Sequence, residues 1–126
     1  MLLFPGVLSA AGLYGLEEVY PRLKEEHDKA RVLAKIINSE GRGLVTVDME
    51  KLETNIVLVE IDRKVMTARR MVEMLSRSRW PVMALEWDTY TVRLVTHRDI
   101  TERCLSLAGD TLTTVIRSAM ETNKNM

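Results

Sequence analysis

Residues 55–61 read NIVLVEI, and this run limits the possible folds more than any other stretch. It is almost continuously apolar and rich in β-branched residues, which fit a pleated strand and crowd a helix. A run this apolar belongs in the middle of a sheet, so other strands must flank it. GLVTVD (43–48) offers one on the N-terminal side. PVMALEW (81–87) and TVRLVT (91–96), joined by the turn-prone Asp88 and Thr89, offer a hairpin on the other.

Around these strands the spacing becomes helical. A helix is expected from about Val7 to Val19, with Pro21 tolerated as the first residue of a new helix but not inside an old one. From Arg22 to about Asn38, Leu23, His27, Ala30, Leu33, Ala34 and Ile37 share one face, and Gly41 and Gly43 supply a stop and a turn. Thr67 can cap a helix to about Arg77, with Ala68, Met71, Val72 and Leu75 on its apolar side. Asp99 followed by Glu102 makes a capping-box-like start for a last helix through about Met120. Residues 121–126 then form a polar tail expected to fray. The order predicts one α+β domain over residues 1–126: a small mixed sheet, helices packed on one face, and a projecting N-terminal connecting helix over residues 1–20.

Composition narrows the function. At 126 residues and 46% apolar content the chain can build one core and not two. Eighteen basic residues balance eighteen acidic ones without a like-charge run, which excludes the electrostatic footprint of a nucleic-acid or acidic-membrane binder. The first sixteen residues carry no charge. They lack a basic leader, contain Pro5 and three glycines, and fall short of the roughly 18–20 apolar residues that span a bilayer. A buried helix, able to approach a neighbour closely through Ser9, Ala10, Ala11, Gly12 and Gly15, is the expectation, in a cytoplasmic protein. The single Cys104 cannot form an internal disulfide, and no zinc-ligand spacing occurs.

Arg93 lies mid-strand. Because strand side chains alternate, it shares a face with Thr91, Val95 and His97, away from Val92, Leu94 and Thr96. Two readings follow: a guanidinium in water with its stem along the sheet, or a planar fork clamping a carboxylate. His97 has no nucleophile beside it and reads as a loop hydrogen-bonding residue rather than a general base. His27 belongs to an apolar stripe and reads as packed. Cys104, without a histidine or basic cluster nearby, reads as core packing. Asn55 is expected to satisfy backbone groups at the sheet entrance. The eight methionines are scattered and read as adaptable filler.

PGVLSAAGLYGLEE (5–18), RLKEEHDKARVLAKII (22–37), ETNIVLVEI (53–61) and VRLVTHRDIT (92–101) together resemble the C-terminal part of the threonine aldolases. These pyridoxal-phosphate enzymes cleave threonine to glycine and acetaldehyde. The resemblance runs from about Gly6 to Arg117. It implies a small domain packed beside a larger cofactor domain, with the arginine before VTH, here Arg93, binding the substrate carboxylate. It places the Schiff-base lysine, the aspartate facing the pyridine nitrogen and the ring-stacking histidine upstream of Met1, so no catalytic or cofactor-binding residue is assigned within this chain. Leu3 falls where the family has an arginine near the cofactor phosphate. The resemblance therefore implies a lyase small domain, inactive alone, that meets its amino-acid substrate through the large domain and assembles as a homo-oligomer. A non-catalytic module that keeps the fold and self-associates or pairs with a full-length aldolase is the alternative, and an amino-acid-sensing domain using Arg93 is a third reading.

Overall fold

The computed structural model describes residues 5–125; Leu3 lies outside them. Helix α1 (Pro5–Tyr14) continues through a wide helical turn (Gly15–Val19) and a tight one (Tyr20–Arg22) into α2 (Leu23–Gly41). Pro21 causes the irregularity. It lacks an N–H and its ring crowds the carbonyl four residues back, so the chain widens before it and tightens around it. The Tyr20 amide donates to the Gly15 carbonyl, and the Leu23 amide to the Tyr20 carbonyl. The expected break at Pro21 is thus a defect within one helical rod. No α1 residue is buried, so the expected burial of this segment does not occur here and the helix projects.

The remaining elements are β1 (Val45–Thr46), β2 (Ile56–Ile61), α3 (Ala68–Ser76), β3 (Leu85–Asp88), β4 (Thr91–Val95) and α4 (Glu102–Lys124). The strands form one sheet in the order β1-β2-β4-β3, and every neighbouring pair is antiparallel. The class is α+β, but the sheet is not mixed. β2 and β3 do run parallel, linked through α3, yet β4 lies between them and opposes both. β2 and β4 are the central strands; a central place for β2 is what the apolar run at 55–61 demanded.

One sheet face carries Val45, Val57, Val59, Ile61, Val92 and Leu94, all buried. Covering it, α2 contributes Ala30, Leu33, Ala34 and Ile37, α3 contributes Met71 and Leu75, and α4 contributes Leu105, Leu112, Val115 and Ile116. α2 also packs along α4, and α3 along β3 and β4. Each fully buried side chain of this size stabilises the fold by about 1.5–3 kcal/mol relative to exposure.

Polar side chains fasten the margins of this core. Asn38 receives the Val47 amide at 2.7 Å and donates to the Val47 carbonyl at 2.9 Å, imitating strand pairing where β1 stops. Asn55 donates to the Thr96 carbonyl at 2.6 Å, the expected role at the sheet entrance. The buried Thr96 hydroxyl donates to the Glu26 carbonyl at 2.8 Å, tying the end of β4 to α2. Thr67 caps α3 as expected. α4 begins two residues later than the Asp99 reading, capped by Thr101, because the Ile100 amide is held in a turn by the His97 carbonyl. The helix continues to Lys124, through residues expected to fray.

Candidate functional site

Opposite the helices, the second sheet face has no layer over it among the described residues. Strand alternation places Ile56, Leu58 and Glu60 of β2, Thr91, Arg93 and Val95 of β4, and Leu85 of β3 there. Leu58 and Val95 are about two-fifths exposed, and Leu85 is 59% exposed. Arg93 stands in the middle, directly opposite Leu58 on one side and Leu85 on the other. It is half-buried by these apolar neighbours.

The electrostatics of this position are simple. Glu60 of β2 and Asp88 of β3 are the acids on the same face, and both face Thr91, a diagonal step from Arg93. Among the described residues Arg93 makes neither a salt bridge nor a side-chain hydrogen bond. Its guanidinium carbon lies 5.9 Å from the centre of the Trp87 ring. A fixed cation on a partly apolar surface, without an internal carboxylate, is suited to receiving an external one.

The other candidates disperse. His97 is exposed, with Nδ1 3.9 Å from Asp99 Oδ2, and has no nucleophile to serve. His27 is half-buried on α2, matching the packed reading. Cys104 corrects the core-packing expectation: it is exposed in the first turn of α4, because Leu105 takes the inward position once the helix starts at Glu102. Hydrogen bonds from the Thr101 hydroxyl and backbone, and then the Arg103 charge, hold its thiol below the ordinary cysteine range.

Cavities do not converge on Arg93. A groove of about 550 Å³ lies between α2 and α4, with Val32, Ile36 and Leu105 in its wall and no strand residue. We place the chemistry on the sheet, because the polar lining of this groove, which includes Lys35, Ser39, Glu40, Glu102, Ser106 and Asp110, has neither histidine nor cysteine. A smaller cleft of about 270 Å³, formed by Leu52, Ile56 and Leu58 with Asp48 and Lys51 at its rim, adjoins the Arg93 face through Leu58. Among the described residues no three His, Cys, Asp or Glu side chains are placed to hold a metal ion, and no helix is long and apolar enough to cross a membrane. Sequence reasoning missed Trp87, whose relation to Arg93 depends on a strand irregularity that alternation does not show.

No model of a known protein family matches the sequence. Several curated proteins are similar to it. Low-specificity L-threonine aldolase 1 of Arabidopsis thaliana is 31% identical over 97 residues, covering 76% of this chain and 26% of that protein. Probable low-specificity L-threonine aldolase 2 of the same plant is 35% identical over 99 residues, 77% and 26% respectively. Low specificity L-threonine aldolase of Escherichia coli (strain K12) is 30% identical over 101 residues, 80% and 27%. The chain thus spans about a quarter of the length of the curated relatives it matches.

Proposed function

The chain is a relative of the threonine aldolases over about a quarter of their length, and from that premise we propose that it forms the small domain of such a lyase. In this reading the substrate is threonine, the products are glycine and acetaldehyde, and Arg93 anchors the substrate carboxylate. The observation that carries it is a guanidinium on an open sheet face that, among the described residues, forms no ion pair with a protein carboxylate. Two parallel hydrogen bonds from the fork would fix the carboxylate in one plane, and that in turn orients the bonds at the α-carbon for cleavage.

Pyridoxal phosphate, the cofactor this reading implies, does not fit the open face by itself. Arg93 is the one cation on the four strands among the described residues, and the lysine at the adjoining cleft, Lys51, is 3.6 Å from Asp48. The large domain would hold the cofactor, and this chain alone would be inactive. A cytoplasmic homo-oligomer goes with the same reading.

Mixing the purified chain with pyridoxal phosphate and threonine is expected to yield no glycine; glycine from the chain alone would refute its incompleteness. Substituting the chain for the matching quarter of the E. coli enzyme is expected to give threonine cleavage that Arg93→Lys lowers roughly a hundredfold, the scale set by losing substrate alignment. A chimaera indifferent to Arg93→Lys removes the carboxylate role.

One observation favours a second reading, a non-catalytic module that self-associates or pairs with a full-length aldolase. Val7, Leu8, Leu13, Tyr14, Leu16 and Tyr20 are each more than half exposed along the projecting rod, an apolar surface that invites a partner. Full activity in the chimaera would count against it.

A further inference from the structure

The pairing of β3 with β4 slips between Glu86 and Asp88: Glu86 faces Val92, Asp88 faces Thr91, and Trp87 has no partner of its own. Trp87 is therefore the extra residue of a β-bulge, a device that bends an edge strand and re-aims the side chain it carries. Trp87 is 61% exposed, so it does not fill the core. What it meets is Arg93, across the strands, at 5.9 Å. The chain's other tryptophan offers a contrast: Trp80 lies 5.4 Å from Arg79, its neighbour in sequence, a contact that requires no particular fold.

Resting on the carboxylate role of Arg93, we propose that Trp87 is a positioning residue, whose ring holds the Arg93 guanidinium over the open sheet face. A cation over an indole face is attracted by the ring's negative quadrupole, and the planar guanidinium can lie against it while its N–H edges stay free. The arginine loses less freedom when an anion arrives, because part of its rotamer entropy is already spent in the unbound state. At this separation and exposure the benefit is at the lower end for such contacts, about two- to fivefold in affinity.

The test is nuclear magnetic resonance on the full ¹⁵N-labelled chain, with the Arg93 Nε–Hε signal identified by its loss in Arg93→Lys. The wild type is expected to show a ring-current shift of that signal and contacts between the Trp87 ring protons and Arg93 Hδ. Trp87→Ala abolishes the shift, and Trp87→Phe keeps most of it. Titration with sodium acetate and with L-threonine is expected to be two- to fivefold weaker in Trp87→Ala than in wild type or Trp87→Phe. An Arg93 signal unchanged by Trp87→Ala, or Trp87→Phe behaving as Trp87→Ala does, overturns the proposal. Should neither carboxylate move the wild-type signal while the ring-current pattern holds, the role of Trp87 on the guanidinium stands and the carboxylate reading falls. If Trp87→Ala fails to fold by circular dichroism, the wild-type ring contacts decide, and their absence overturns the proposal.

Discussion

The Cys104 amide donates to the Thr101 hydroxyl at 3.2 Å, so the thiol sits in a helix's first turn, where partial positive charge gathers. Thr101 and Arg103 lower its pKa, which raises the thiolate fraction at a given pH, and the side chain is exposed, so the thiolate is reachable. Iodoacetamide is expected to alkylate it faster at neutral pH than it does a free cysteine peptide. Thr101→Val slows the reaction by removing the hydroxyl, and an equal rate in both proteins would refute the assignment. Glu40 behaves oppositely as a stability element. Arg117 reaches it through two bonds, of 2.8 and 3.0 Å, and holds its carboxyl below the ordinary 4.5. A depressed carboxyl contributes stability that is complete above its unfolded pKa and lost as pH falls through its folded one. Glu40→Gln should therefore lower the unfolding temperature at pH 7, and the gap from wild type should close as the pH is taken well below 4.5. A gap that is constant with pH would mean the ion pair is not its source.

The junction of α2 with β1 turns on a glycine. A Cβ on Gly41 would meet Val45 Cβ at 2.9 Å, and Val45 is locked in the sheet opposite Ile61. Gly41→Ala gains about 1 kcal/mol of helix propensity but overpacks a rigid contact at about 1–3 kcal/mol, so a net loss is expected. Gly109→Ala presses only on the Ile36 Cδ1, the end of a side chain that can turn away. It should be neutral or slightly stabilising, and urea unfolding midpoints of the two variants are expected to fall on opposite sides of wild type or nearly so. Gly109→Ala as damaging as Gly41→Ala would show that Ile36 cannot yield. The sequence announced this junction as a stop at Gly41 and Gly43, but the left-handed residues are Arg42 and Gly43; Gly41 is needed for space, which periodicity cannot reveal. Alternation did reveal the face of Arg93, since β4 is regular through that point. It failed at Trp87, where the bulge breaks the period, and at Cys104, where moving the cap from Asp99 to Thr101 changes the helix's inward register. Strand order was also hidden, because whether β4 lies between β2 and β3 depends on contacts distant in the chain.

At the scale of the whole molecule, two apolar surfaces stand out among the described residues: the rod at residues 7–20, and the sheet face of Leu58, Leu85, Trp87 and Val95. Each is built differently. None of the described rod residues is buried, whereas the sheet residues are the backs of strands whose other sides form the core. Removing either surface should therefore leave the fold intact, because no core residue is touched. Monomeric soluble domains rarely leave contiguous apolar area beyond a few hundred Å² exposed, and burial returns roughly 25 cal/mol per Å². The purified 14.4 kDa chain is expected to sediment as a concentration-dependent mixture heavier than a monomer. Leu8→Glu with Leu13→Glu tests the rod, and Leu58→Glu with Val95→Glu tests the sheet. If a large domain normally covers the sheet face, the sheet variant should lower association and also abolish activity in the chimaera. If self-association is the chain's own function, the rod variant should dissociate it while chimaera activity is never established. A chain that stays at 14.4 kDa throughout the concentration range, with both surfaces intact, would show that neither is a docking surface for a second copy.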